Sequence, residues 1–198
     1  TQQQIATQIA GTRQYSNFAA IMQGMAEGKV SEYMALTESS TGIVDEKYES
    51  VREKIKEFIN ARDKSEIVFT SGTTDGLNRI IFGFFKKYLS QDDEVLITES
   101  EHASNVLPWF VLAKEIGIKV KYIPLNENNE VTPDNVKKVI TDKTKVISLA
   151  YVTNVIGDIR PMRDICEIAH QNNILVVGDA AQSLSHIKTD VTTDDIDF

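Results

Sequence analysis

The 198-residue chain is 41% hydrophobic and 25% charged, an ordinary balance for a globular protein with one full-sized core. Its net charge of −8 argues against a nucleic-acid backbone as the main partner, because such backbones are held by clustered Lys and Arg. No apolar run is long enough for a membrane span, and TQQQIATQIAGTRQ has neither the basic start nor the apolar stretch of a secretory signal. A single cysteine, Cys166, excludes an internal disulfide and offers a metal at most one thiolate, so a reducing, cytoplasmic setting is expected.

Residues 1–43 are irregular; Gly24, Gly28, Gly42 and TESST (37–41) suggest helix fragments joined by loops. From residue 44 the pattern becomes regular. VDEKYESVREKIKEFINA puts Val44, Tyr48, Val51, Ile55, Phe58 and Ile59 on one face of a helix, with charges opposite. Five short runs rich in Val and Ile follow, each of strand length: EIVFT (66–70), EVLIT (94–98), KVKYI (119–123), KVISLA (145–150) and ILVVG (174–178). Helical segments separate them. One starts after Gly72. One covers Val106 to Ile116 and closes at Gly117, where a left-handed cap favours glycine. One opens with Thr132 as N-cap and Pro133 in the first turn, and one runs from Pro161 to about Gln171. Strands alternating with helices of this length predict an α/β fold, a mainly parallel sheet sandwiched by helices. Strand order is not legible, but ligands of such sheets gather at the C-terminal ends of the strands.

Those strand ends carry the chemistry. The first run stops at Ser71-Gly72-Thr73-Thr74, where helix-start N–H groups, a permissive glycine and two hydroxyls could seat a phosphate. A threonine cap with nothing bound accounts for the same residues. The stretch is neither a P-loop nor a dinucleotide fingerprint, since no Gly-Lys-Ser/Thr follows and the glycines at 72 and 76 are wrongly spaced. The next run leads into ESEHASNVLPW, where His102 is either a surface residue or an imidazole able to stack on a ring and move a proton. Asn154, past the 145–150 run, is either a turn residue or an amide that donates and accepts. Asp179 follows five apolar positions, where an unpartnered carboxylate would cost several kcal/mol, roughly, or change its protonation. Ala180 and Ala181 leave room for a flat ligand, and Gln182 could reach it. A phosphate seat, an imidazole, an amide and a carboxylate together suit pyridoxal 5′-phosphate, whose pyridine nitrogen needs a carboxylate to stay protonated.

FINA…EIVFTSGTTDGLN, ESEHASNVLPW, KTKVISLAYVTNVIG and VVGDAAQS, in this order, resemble the fold-type I, class V pyridoxal-phosphate enzymes. Within them the chain is most similar to the Suf-type cysteine desulfurases and selenocysteine lyases. The Gly-Thr-Thr-Glu-x-x-Asn pattern appears as Gly72-Thr73-Thr74-Asp75-Gly76-Leu77-Asn78, and the Glu-His-x-x-Asn-x-x-Pro-Trp run as Glu101 to Trp109. The resemblance implies that Gly72, Thr73 and Thr74 hold the cofactor phosphate and that His102 stacks on its ring and helps transfer protons. It implies that Asn154 and Gln182 bond near the phenolic oxygen and that Asp179 pairs with the pyridine nitrogen. It further implies an L-cysteine-like amino-acid substrate, alanine and a cysteine persulfide as products, a sulfur-acceptor protein and a homodimer. Members of the family that act as aminotransferases, epimerases or kynureninase-like lyases are the alternative, as is a non-catalytic folding unit.

The family's Schiff-base lysine lies in a Ser-x-His-Lys segment, and DIDF at the end of this sequence stops short of one. The expectation is therefore an N-terminal segment (1–43) followed by an incomplete cofactor domain (44–198), without the lysine, the persulfide cysteine or the substrate-binding arginine, and inactive alone. SHIK (185–188) has the wrong order for the lysine segment, so Lys188 is expected on the surface. Cys166, in MRDICEIAH, is expected as a half-buried structural thiol, and His170 and His186 as residues without a catalytic part.

Overall fold

The computed structural model describes residues 30–198, with side chains from residue 45 onward. The turns expected around Gly24 and Gly28 lie outside the described residues. The chain divides into two compact units, Thr1–Ile55 and Lys56–Phe198. The first is described only through helix α1, Val30–Ile59, which starts well before residue 44 and runs through TESST and Gly42 without a break. Loop-favouring residues there lose to the cooperativity of helix propagation.

The second unit holds a parallel sheet of four strands: β1 (Glu94–Ile97), β2 (Lys119–Tyr122), β3 (Thr144–Ala150) and β4 (Leu175–Asp179), in the order β2-β1-β3-β4. Helix α2 precedes β1. It begins as Thr73–Asn78, continues through a wide π-type stretch, Arg79–Phe85, and ends as Lys86–Tyr88. Helix α3 (Ala103–Ile116) joins β1 to β2, α4 (Pro133–Val139) joins β2 to β3, and α5 (Met162–Gln171) joins β3 to β4.

Side chains alternate across the pleat, and the two faces bury separate cores. Val95, Ile97, Val146 and Val177 face Leu77, Ile81 and Phe85 of α2 and Trp109 and Leu112 of α3. Leu96, Ile147, Leu149 and Val176 face Val136 of α4 and Met162, Ile165 and Cys166 of α5. Burial on both faces explains why the strands read as continuous apolar runs. Cys166 is fully buried. Burial first, with Asp197, Asp194 and Asp195 adding to it, pushes its thiol up to about 12.

Most expected boundaries hold. Thr132 Oγ1 accepts from Asn135 N (3.2 Å) with Pro133 opening α4, and Gly117 closes α3 at φ 81°. One expected strand does not form. EIVFT (66–70) begins in a 3₁₀ turn, Lys64–Glu66, held by Asp63 Oδ1 accepting from Ser65 N (2.8 Å), and residues 67–70 lie outside the regular strands. Ile67 is buried while Val68 is 73% exposed. Apolar alternation marks a one-sided extended segment but does not by itself make a regular strand.

The strand order places the switch point of the sheet between β1 and β3. From β1 the chain moves outward to β2, then returns past β1 to build β3 and β4 on the other side. The loops leaving β1 and β3 therefore diverge and open a crevice at their C-terminal ends.

Candidate functional site

A cleft of about 450 Å³ occupies that crevice. Ser71 to Asp75 supply one wall from the start of α2, His102 and Ser104 another from the start of α3, and Ala150, Val152, Asn154, Asp179, Ala181 and Gln182 complete it from the ends of β3 and β4. All seven residues expected at a cofactor, namely Gly72, Thr73, Thr74, His102, Asn154, Asp179 and Gln182, line it.

The start of α2 is built by local bonds. Gly72 is its N-cap at φ 152°, ψ 174°, a conformation that only glycine adopts without strain. Thr70 Oγ1 donates to Gly72 O (3.0 Å), and Asp75 Oδ2 accepts from the backbone N and the Oγ of Ser71, both at 3.2 Å. Asp75 Oδ1 also accepts from Arg79 Nε (2.9 Å). The Ser71 backbone bond, then Arg79, holds the Asp75 carboxyl below the usual range. No side chain caps the helix, so the N–H groups of its first turn keep their partial positive charge for a ligand. Thr74 Oγ1 lies 2.8 Å from Ser104 Oγ, which joins the starts of α2 and α3.

His102 is the N-cap of α3: its Nδ1 accepts from Ser104 N (3.2 Å). That role begins the helix at Ala103, earlier than the expected Val106. It also leaves the proton of the neutral ring on Nε2. Asn154 is exposed on a short antiparallel turn closed by the Val152–Ile159 bridge. Asp179 ends β4 at 5% exposure. Its Oδ1 accepts from Ala181 N (3.0 Å), and among the described residues no cation pairs with it. Gln182 is exposed at the rim.

These features test the fit of a ligand. An uncapped helix start favours an anion, and a buried carboxylate without a cation favours an N–H⁺ group. Ala150 and Ala181 leave space between the two. A flat ring bearing a phosphate and a protonated nitrogen meets each demand, so the residues fit pyridoxal phosphate.

Sequence reasoning missed two parts of the site. Ser104 shares the wall with Thr74, and its place two residues after His102 in a helical first turn was the available signal. Glu101 and Arg160 form a buried pair behind the wall, both side chains at 0% exposure with Arg160 Nη2 3.5 Å from Glu101 Oε1. Nothing in the spacing of two residues so far apart announces their contact. The decoys remain outside the cleft: Lys188 is exposed, and His186 Nδ1 lies 2.7 Å from Gln182 O.

A parallel α/β unit with a cleft at its switch point, walled by Ser71 to Asp75 and by His102 and Ser104, defines the chain as an α/β protein of the open-sheet class. The sequence model of the aminotransferase class-V family matches residues 25–198, and the chain belongs to that family. It is 45% identical over 153 residues to a probable cysteine desulfurase of Borreliella burgdorferi, covering 77% of this chain and 36% of the relative. It is 40% identical over 151 residues to a probable cysteine desulfurase of Halalkalibacterium halodurans, covering 76% and 37% respectively. The chain thus spans little more than a third of the length of these curated relatives. Among solved structures, the cysteine desulfurase CsdA of Escherichia coli in its S-sulfonic acid form aligns with TM-score 0.76 and 31% identity over 81% of this chain and 40% of its own. The cystine C-S lyase C-DES in complex with cysteine persulfide aligns with TM-score 0.73 over 85% of this chain and 46% of its own; at 22% identity it speaks for the fold alone.

Proposed function

We propose that the cleft binds pyridoxal 5′-phosphate and that the protein carrying it is a cysteine desulfurase, releasing sulfur from L-cysteine to leave alanine. The observation that carries the reading is the pairing of opposite demands in one cleft, an uncapped helix start at Gly72 and a buried Asp179 that pairs with no cation among the described residues. Membership of the class-V family and similarity to cysteine desulfurases support it.

In this reading the N–H groups and hydroxyls of Thr73 and Thr74 hold the phosphate. Asp179 holds a proton on the pyridine nitrogen. Asn154 and Gln182 donate to the phenolic oxygen. His102 covers the ring face, and its Nε2–H, left over by the Ser104 bond, is the atom that holds or passes a proton. The cofactor, when bound, supplies an electron sink for bond breaking beside the amino group of an amino acid. The 44–198 segment is the proposed cofactor domain. A homodimer is proposed too, supported by apolar side chains left exposed on α3, Leu107 at 61% and Val111 at 54%. A sulfur-acceptor protein and a cytoplasmic location complete the reading. Among the described residues no helix is long and apolar enough to cross a membrane.

Two measurements test it. Equilibrium dialysis of this chain against pyridoxal phosphate should show saturable binding that excess inorganic phosphate weakens. The full-length protein, given L-cysteine and a thiol reductant, should release sulfide and alanine in equal amounts. Turnover of another amino acid in place of cysteine would keep the cofactor and reassign the substrate; no saturable binding would sink the cofactor site itself.

A further inference from the structure

The wall of the cleft that carries His102 is held from behind by one carboxylate. Glu101 Oε1 accepts from Thr98 Oγ1 (2.7 Å) and faces Arg160 Nη2. Its Oε2 accepts from Asn105 Nδ2 (3.0 Å) and from Ala150 N (2.7 Å). Asn105, itself buried, accepts at Oδ1 from Ser148 Oγ (2.6 Å). Arg160 Nη2 donates to Thr98 Oγ1 (3.2 Å) and Ser100 Oγ (2.8 Å). Its Nε lies 2.9 Å from Asp158 Oδ2, close enough for an ion pair but misaligned for a hydrogen bond, and Nη1 has no hydrogen-bond partner among the described residues.

The partners of Glu101 come from three places that the site needs in register: the loop after β1, the first turn of α3, and the end of β3. Arg160 stands at the return of the turn that carries Asn154 and adds a fourth. We propose that Glu101, with Arg160, is a positioning residue of the cleft: its carboxylate fixes the neighbouring His102 imidazole and the end of β3 in one arrangement relative to the ligand. The proposal rests on the cofactor reading only for its effect on binding.

The ion pair by itself gives little reason, in stability, for such a group. Replacing a buried ion pair with packed apolar side chains is often neutral or stabilising. Burial chiefly drives the pKa of Glu101 upward, only partly offset by Thr98, Arg160, Asn105 and Ala150, as expected where ionisation is costly. What a carboxylate alone supplies is acceptance at both oxygens. A glutamine in its place would turn an amide donor either toward Asn105 Nδ2 and Ala150 N or toward the Arg160 guanidinium, donor against donor on either side.

The test reads the ring nitrogens of His102 by ¹⁵N NMR in the ligand-free chain, at a pH where the ring is neutral. The wild type should show a single tautomer with the proton on Nε2. In Glu101→Gln, and in the double variant Glu101→Leu/Arg160→Met, the ring should average between tautomers. Pyridoxal-phosphate affinity should fall about tenfold or more, as expected when aligned polar groups are lost. The double variant removes the buried ion pair without leaving a lone charge, but it strands the Ala150 and Asn105 donors, so it should melt lower than the wild type; the tautomer, not the melting point, separates positioning from stability. A double variant that melts like the wild type and keeps the single tautomer overturns the proposal, and so does lower melting with the tautomer unchanged. Should the wild type bind no pyridoxal phosphate, the cofactor reading fails on its own, and the tautomer comparison still decides this one.

Discussion

Asp179 holds a buried carboxylate on a single hydrogen bond, from Ala181 N, with no cation beside it among the described residues. A group placed that way, facing the cleft, is free to pair with something cationic that enters it. Asp179→Asn keeps an acceptor for Ala181 and removes the buried charge. The ligand-free variant should therefore melt no lower than the wild type, while its affinity for pyridoxal phosphate falls about tenfold or more, the worth of a charge-assisted bond. Calorimetry alongside dialysis checks both halves; unchanged affinity would remove Asp179 from the site. One position earlier, Gly178 is set by packing. A Cβ there would lie 2.6 Å from Tyr151 Cε2 and 3.2 Å from Ile196 Cδ1. Gly178→Ala should cost about 1–3 kcal/mol of stability, read as a lower urea midpoint. Asp179 was legible in the sequence because a lone carboxylate after five apolar residues is conspicuous. The contact that requires Gly178 was not, because it joins β4 to the end of β3 through space.

At the scale of elements, the start of α2 shows which local rules survive folding. Glycine at 72 was read as a permissive residue, and its φ of 152° bears that out. Nothing lies within 4 Å of an added Cβ, so Gly72→Ala meets no clash and any cost is torsional. That cost is about 1–3 kcal/mol. If the backbone relaxes to avoid it, the first-turn N–H groups swing with it. Phosphate inhibition of cofactor binding should then weaken in Gly72→Ala, while Gly83→Ala, also in open space but away from the cleft, leaves it unchanged. Helix stops and starts with a dedicated cap, such as Gly117 and Thr132-Pro133, were legible because the cap acts within a few residues. The π-type stretch of α2 and the missing strand at 67–70 were not. The wide turn has no residue signature, and apolar alternation does not by itself make a regular strand.

At the scale of the whole described unit, the last residues are held against the sheet, and a histidine contact should make their attachment depend on pH. Phe198 N donates to Val176 O (3.2 Å) and Gly178 N donates to Phe198 O (2.9 Å), so the terminal residue runs beside β4. Asp197 Oδ2 accepts from Val176 N (2.7 Å). His170, at the end of α5, lies with Nδ1 3.1 Å from Asp195 Oδ2 and Nε2 3.0 Å from Asp197 Oδ2. Its pattern in the sequence suggested no role, and it has none in the cleft; it clamps this segment instead. Burial by itself would lower the His170 pKa, but the bond to Asp197 and the charges of Asp197 and Asp195 outweigh it, and the net direction is upward. A histidine whose folded value exceeds its unfolded value, about 6.5, adds its full stability below that pH. The contribution then disappears as pH rises through the folded value. Because its side chain is 31% exposed and that of Asp195 60%, salt should shrink the effect further. Urea midpoints of the wild type and His170→Gln should therefore differ more at about pH 6 than at about pH 9, and less at high salt. A difference of equal size at both pH values would mean that the clamp holds by packing rather than by charge.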